Sequence, residues 1–142
     1  MAETSRRTVV LLVDDSPSDR RIATDALLDS GHAHELHWVA DGLTALAFLR
    51  REGEFASAPR PDLVLLDLRM PGLDGGGVLE EIYRDPELRS LAVVVQTSSD
   101  SDVDLVKAWE LGALHFIRKP LDAESVGALL SNPVGPLEAS PW

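Results

Sequence analysis

The chain has 142 residues, 44% of them hydrophobic and 26% charged, which is the composition of a single globular domain. It contains no cysteine, which excludes disulfides and thiol catalysis, and its formal net charge of −11 disfavours nucleic acid phosphates and anionic lipid as partners. Because no apolar run is long enough for a membrane span (about twenty residues) or for a signal peptide, we expect a cytoplasmic protein.

Five short apolar runs recur along the chain and predict strands. In chain order they are residues 9–13, 36–40, 63–66, 92–95 and 113–117. The first, third and fourth are continuous and rich in Val and Leu, as is typical of central parallel strands that are buried on both faces. The second and fifth contain His37 and His115 and predict edge strands.

Segments of helical periodicity follow the strands, and their ends carry capping residues. Ser16 before Pro17 begins the first helix, which Gly31 ends, and Ile22, Ala26 and Leu27 form its apolar stripe. The later helices are predicted to begin after Asp41, Asp74, Ser99 or Asp100, and Asp122, and to end at Gly53, Gly112 and Pro133. The alternation of strands and helices predicts a parallel sheet with helices on both faces.

Polar side chains follow four of the five predicted strands. They are Asp14 and Asp15, Asp67, Thr97 and Ser98, and Lys119. Since the carboxyl ends of parallel strands meet at one edge of the sheet, these residues are expected to converge there. Asp15 alone would also fit a helix cap and Asp67 a turn residue, so the inference depends on the whole set.

The chemistry of this set favours phosphoryl transfer. Three neighbouring carboxylates repel one another unless one is protonated or a cation binds, and oxygen ligands favour Mg²⁺. A carboxylate can act as a nucleophile on phosphorus, while a lysine neutralises the charge on the phosphoryl oxygens. Neither a Walker A motif nor G-x-G-x-x-G is present, so a bound nucleotide is not expected.

At these positions the sequence resembles the receiver domain of two-component response regulators. The matching motifs are Asp14-Asp15, Asp67-Leu-Arg-Met-Pro-Gly72, Thr97 and Lys119-Pro120, in the order and at the spacing of that family. The resemblance implies a flavodoxin-like, doubly wound, five-stranded parallel sheet of order 2-1-3-4-5 with helices on both faces. This domain would span residues 8–131, between an N-terminal arm of residues 1–7 and a C-terminal tail of residues 132–142.

The resemblance also implies a role for each matching residue. Asp67 would accept a phosphoryl group from a partner histidine kinase. Mg²⁺ would be held by Asp14, Asp15, Asp67 and the backbone carbonyl of Arg69, and the phosphoryl group would be bound by Lys119, Thr97 and Ser98.

The same resemblance implies that phosphorylation changes the conformation of the domain and that particular residues set the lifetime of the phosphorylated state. Thr97 and Phe116 would act as the switch pair, with Thr97 moving toward the phosphoryl group and Phe116 turning inward. Phe116 would also fit as plain packing in an edge strand. Arg69 and Ser99 flank the expected path of the hydrolytic water, so we expect them to tune dephosphorylation.

The partners are less sharply defined by the sequence. Because no effector domain follows, the signal would pass by partner binding, dimerisation or onward phosphoryl transfer, and residues 103–111 carry more apolar side chains than one helix stripe needs. Residues 16–19 and 85–91 resemble stand-alone regulators that pair with bacteriophytochrome-type kinases. If this protein belongs to that group, one expectation is that it forms a homodimer.

Three alternatives remain open at this point. One is a hydrolase of the aspartate-nucleophile phosphatase type, although such enzymes usually place an acidic residue two positions after the nucleophile, where this chain has Arg69. Another is a degenerate receiver that serves only as a scaffold, but it would require loss of the acceptor, a metal ligand or the lysine, and none is lost. A metal site formed by His32, His34 and His37 is disfavoured, because the loop that carries the first two would have to fold back.

Overall fold

A computed structural model describes residues 7–97, 110, 113 and 115–131. Its strands are β1 Thr8–Val13, β2 His34–Val39, β3 Leu63–Asp67, β4 Val93–Thr97 and β5 His115–Arg118. The helices whose bounds are described are α1 Pro17–Asp29, α2 Gly42–Arg50, α3 Gly75–Arg84 and α4 Ala123–Ser131, with a 3₁₀ turn at Gly53–Phe55. Apart from residue 110, the predicted helix between the fourth and fifth strands lies outside the described residues, as does the tail 132–142.

The five strands form one parallel sheet in the order β2-β1-β3-β4-β5. This confirms both the expected order and the edge positions of the two strands that contain histidine. The continuous apolar runs became the three central strands, and every residue of β3 is buried. Among the described helices, none has the length and apolar character to cross a lipid bilayer.

Side chains that alternate along the strands form two hydrophobic cores, one on each face of the sheet. Val10 and Leu12 belong to the core beneath α1 and α4. Leu11 and Val13 belong to the core beneath α2 and α3. Helices therefore cover both faces, as the alternation of strands and helices predicted.

The same alternation decides which face the residues after each strand occupy. Leu12, Leu65, Val94 and Ile117 all belong to the core beneath α1 and α4. Two positions later, at the carboxyl edge of the sheet, stand Asp14, Asp67, Gln96 and Lys119. The period of two therefore brings three charged side chains and one amide to the α1/α4 side of that edge.

Four of the five predicted helix starts are confirmed by their caps, and the fifth, after Ser99 or Asp100, lies outside the described residues. Ser16, Asp41, Asp74 and Asp122 each accept a hydrogen bond from the backbone N–H three residues further on. Such caps are local signals, because one side-chain oxygen satisfies an N–H group that the first turn leaves without a partner.

Two details of the helices were predicted wrongly. Ile22 is 40% exposed, and Ala23 takes its place in the buried stripe of α1. The second helix ends at Arg50 and not at Gly53, because Arg51 adopts a left-handed conformation with φ 56° and its N–H bonds back to Phe48. Gly53 instead begins the 3₁₀ turn.

Candidate functional site

Three acidic side chains converge at the carboxyl edge of the sheet. Asp14 and Asp67 are buried and Asp15 is exposed, and one carboxylate oxygen from each lies within 4.8 Å of the other two. All the donors are carboxylate oxygens, which suit a hard divalent cation such as Mg²⁺. The residues present therefore fit the metal that the sequence predicted.

Lys119 links this acidic cluster to the last strand. Its Nζ lies 2.9 Å from Asp14 Oδ2 and 3.2 Å from Asp67 Oδ2. A third contact, 2.8 Å long, joins Nζ to Oδ2 of Asp19 on α1. The structure thus brings Asp14, Asp67 and Lys119 together although the first and the last are 105 positions apart in the sequence.

Local turns orient the two buried carboxylates in the same way. Oδ1 of Asp14 accepts a 2.9 Å hydrogen bond from the backbone N–H of Ser16, and Oδ1 of Asp67 accepts a 3.2 Å bond from the N–H of Arg69. Both are contacts to the residue two positions later, which aspartate forms readily in turns. In each residue Oδ2 is then left to face the ammonium of Lys119.

Burial and charge act in opposite directions on the titratable groups of the site. Burial raises the pKa of Asp67 above its ordinary value, and the N–H of Arg69 and the charge of Lys119 only partly offset it. Burial alone would lower the pKa of Lys119. Hydrogen bonds to Asp19 and Asp14 outweigh that effect, so the pKa of Lys119 lies above its ordinary value and the ammonium stays charged.

The raised pKa of Asp67 gives a prediction for stability. Because folding favours the protonated form, the contribution of Asp67 to stability is present below its unfolded pKa and is lost as the pH rises through the folded value. We expect Asp67→Asn to increase the free energy of unfolding at pH 7 without Mg²⁺. The gain should shrink as the pH falls toward about 4, where unfolded aspartate protonates.

Urea denaturation at both pH values measures this effect. Asp25→Asn removes the same charge at an exposed position of α1, where Asp25 pairs with Arg21 at 3.5 Å, and serves as the control. A less stable Asp67→Asn variant at pH 7 would contradict the prediction.

Sequence reasoning assigned no role to three residues that contact the site. Gln96 is buried, and its Nε2 donates to Asp14 Oδ2 at 3.3 Å. The indole N–H of Trp38 donates to the backbone carbonyl of Asp14 at 2.8 Å, while the Arg20 guanidinium lies 4.0 Å from the Trp38 ring centroid. Asp19 binds Lys119. Gln96 is a polar residue at the end of an all-valine run, and this pattern could have indicated its role. The sequence held no such signal for Trp38 or Asp19.

The remaining predicted site residues are only partly described. Ser98 and Ser99 lie outside the described residues, and Thr97 is described only as the last residue of β4, where its backbone pairs with Arg118. Phe116 is half-buried on β5 and packs against the core beneath α2 and α3. The side chain of Arg69 is exposed.

The three histidines do not form a metal site. His32 Nε2 lies 3.2 Å from Ser131 Oγ on α4, and His37 Nε2 lies 2.6 Å from Glu35 Oε2. Within the part of the chain that the structure describes, the one group with suitable metal ligands is the acidic cluster.

Comparison with known proteins agrees with this geometry. The family model of the response regulator receiver domain matches residues 10–131. Response regulator Rcp1 of Synechocystis sp. is 42% identical over 117 residues, which cover 82% of this chain and 80% of Rcp1. The Mn²⁺-bound form of Rcp1 matches with a TM-score of 0.80 and 37% identity, over 95% of this chain and 99% of that one.

Two further solved structures are phytochrome response regulators. The phosphorylated cyanobacterial phytochrome response regulator RcpA matches with a TM-score of 0.79 and 38% identity, over 90% of this chain and 91% of that one. The bacteriophytochrome response regulator RtBRR matches with a TM-score of 0.80 and 34% identity, over 94% and 81% of the two chains. From the motifs, the sheet order and the family match, the chain belongs to the response regulator receiver domain family.

Proposed function

We propose that this protein receives a phosphoryl group on Asp67 from a phosphohistidine of a partner kinase. The observation that carries the proposal is the contact of one ammonium, Lys119 Nζ, with both buried carboxylates, Asp14 and Asp67. Phosphoryl transfer needs a nucleophile beside fixed positive charge, and this site supplies both. The phosphorylated form of RcpA, a relative of similar length, supports the same role.

Asp14, Asp15 and Asp67, together with the backbone carbonyl of Arg69, would hold Mg²⁺. When bound, the ion would neutralise part of the charge on the transferring phosphoryl oxygens. The oxygen-only donor set and the Mn²⁺-bound form of Rcp1 support a divalent cation here.

In the transfer itself, one carboxylate oxygen of Asp67 attacks phosphorus. The new bond joins that oxygen to phosphorus, and the bond between phosphorus and the histidine nitrogen breaks, so that the imidazole leaves with its electron pair. Lys119 would bind the phosphoryl oxygens, helped by Thr97 and Ser98. Because every side chain that the transfer needs, apart from the donor histidine, belongs to this chain, we propose that it catalyses its own Mg²⁺-dependent phosphorylation and its dephosphorylation. Arg69 and Ser99 would set the rate of dephosphorylation.

The signal would leave the site through Thr97 and Phe116, the proposed switch pair. Phe116 lies on edge strand β5, which β4 separates from β3, the central strand that ends at Asp67. The receiver unit is proposed to span residues 8–131 and to signal in the cytoplasm by partner binding or homodimerisation. Relatives named as phytochrome and bacteriophytochrome regulators support a kinase of that type as the phosphoryl donor.

Intact mass spectrometry tests the proposal. After incubation with acetyl phosphate and Mg²⁺, the protein should gain one phosphoryl group, the Asp67→Asn variant none, and the Asp25→Asn control the same as wild type. A lasting adduct on Asp67→Asn would place the acceptor elsewhere.

The hydrolase alternative gives a different result in the same assay, namely many turnovers of released phosphate with no lasting adduct. No comparison supports it, and the position of its usual general acid is held by Arg69, whose side chain is a cation.

A further inference from the structure

Asp19 is a fourth acidic residue at this site. It lies in the first turn of α1, where its backbone N–H donates to Ser16 Oγ at 3.2 Å. Its carboxylate makes the shortest of the three contacts of Lys119, at 2.8 Å. The side chain of Asp19 is 37% exposed, compared with 1% for Asp14 and 6% for Asp67.

These three contacts use the whole donor capacity of Lys119. An ammonium group has three N–H donors, and three carboxylates lie within 3.2 Å of Nζ. An incoming phosphoryl group can therefore accept a hydrogen bond from Lys119 Nζ only if one of these three bonds breaks.

Exposure decides which bond opens at least cost. Asp14 is buried, and a buried carboxylate that loses its cation is strongly destabilised. Asp67 is the residue that becomes modified. Asp19 is the most exposed of the three, so water can replace Lys119 around its carboxylate.

We propose that Asp19 is a positioning residue that holds Lys119 against α1 in the unphosphorylated protein and yields it to the phosphoryl group. This inference rests on the proposed function of Asp67. Asp19 therefore slows phosphorylation, and phosphorylation opens the contact between the N-terminal end of α1 and the segment that follows β5. The event at Asp67 thereby changes how α1 is attached to the rest of the domain.

The test compares phosphorylation rates with acetyl phosphate and Mg²⁺, followed by intact mass over time. We expect Asp19→Asn to react about two- to fivefold faster than wild type, the range that a partly exposed ion pair contributes. Asp19→Ala, which also removes the charge, should be accelerated by a similar factor. Asp19→Glu restores a carboxylate in reach of Lys119 and should return the rate to the wild-type value.

Asp25→Asn is the matched control, because it removes one carboxylate from the same helix at a position that pairs with Arg21. Its rate should equal that of wild type. A rate for Asp19→Asn at or below wild type, or equal acceleration by Asp25→Asn or Asp19→Glu, would overturn the inference. Failure of wild type to become phosphorylated on Asp67 would instead overturn the proposed function, so the two failures are distinguishable.

Discussion

Lys119→Met is expected to slow phosphorylation by acetyl phosphate about a hundredfold or more, the usual effect of removing one preorganised donor from a transition state. In the wild type, Nζ lies 2.9 Å from Asp14 Oδ2 and 3.2 Å from Asp67 Oδ2, so a single cation offsets two buried carboxylates. Without it, the two carboxylates lose their shared ammonium, and the transferring phosphoryl group loses the side-chain cation that would bind its oxygens. Initial rates from intact mass spectrometry in Mg²⁺ measure the effect.

Two further variants separate the ammonium from general charge and folding. Arg118→Met removes one positive charge from the preceding, exposed position of β5 and should react within about twofold of wild type. Lys119→Arg keeps the charge, but a planar guanidinium cannot direct three donors from one nitrogen, so an intermediate rate is expected. Equal slowing by Lys119→Met and Arg118→Met would contradict the assignment, and urea denaturation of each variant shows whether its fold is intact.

The fold could be predicted in detail because its signals are local. Continuous valine and leucine runs indicated the central strands, and a capping side chain marked the start of each helix whose bounds are described, as Ser16 and Asp41 illustrate. Strand order is a non-local property, and it came from the family resemblance together with the histidines that marked the edge strands. The end of α2 escaped prediction, because nothing in the sequence indicates that Arg51 adopts the left-handed conformation usually taken by glycine.

The core of the site was predictable for a geometric reason, whereas the residues around it were not. Residues after parallel strands share one edge, and this rule alone places Asp14, Asp67 and Lys119 together. Asp19 obeys no such rule. An acidic residue in the first turn of a helix is ordinarily explained by the helix dipole, so its contact with Lys119 became visible only when α1 was packed on the sheet.

The glycine run 75–77 shows the same division between local and packing information. Each glycine costs about 1 kcal/mol relative to alanine in a helix interior, so helix propensity does not explain why the residues are there. Gly75 has a packing reason. It is buried at the start of α3, against the backbone that carries Asp67.

Gly75→Ala is accordingly expected to destabilise the protein by about 1–3 kcal/mol, as overpacking usually does, despite the better helix propensity of alanine. A Cβ at this position would lie 2.3 Å from the Asp67 carbonyl oxygen and 2.7 Å from Leu68 Cα. Both are backbone atoms that cannot rotate aside, so the segment carrying Asp67 must shift. We therefore expect slower phosphorylation as well as a lower urea midpoint.

Gly76→Ala is the matched control one residue further on. The nearest atom to its new Cβ is Asp74 Oδ1 at 3.5 Å, an ordinary contact, so alanine there should be neutral or stabilise the protein by up to about 1 kcal/mol. Opposite signs for the two variants in urea denaturation are the expected result. Equal effects would mean that the glycines act through helix propensity alone, and that the close approach of α3 to the Asp67 backbone does not constrain the position of the carboxylate.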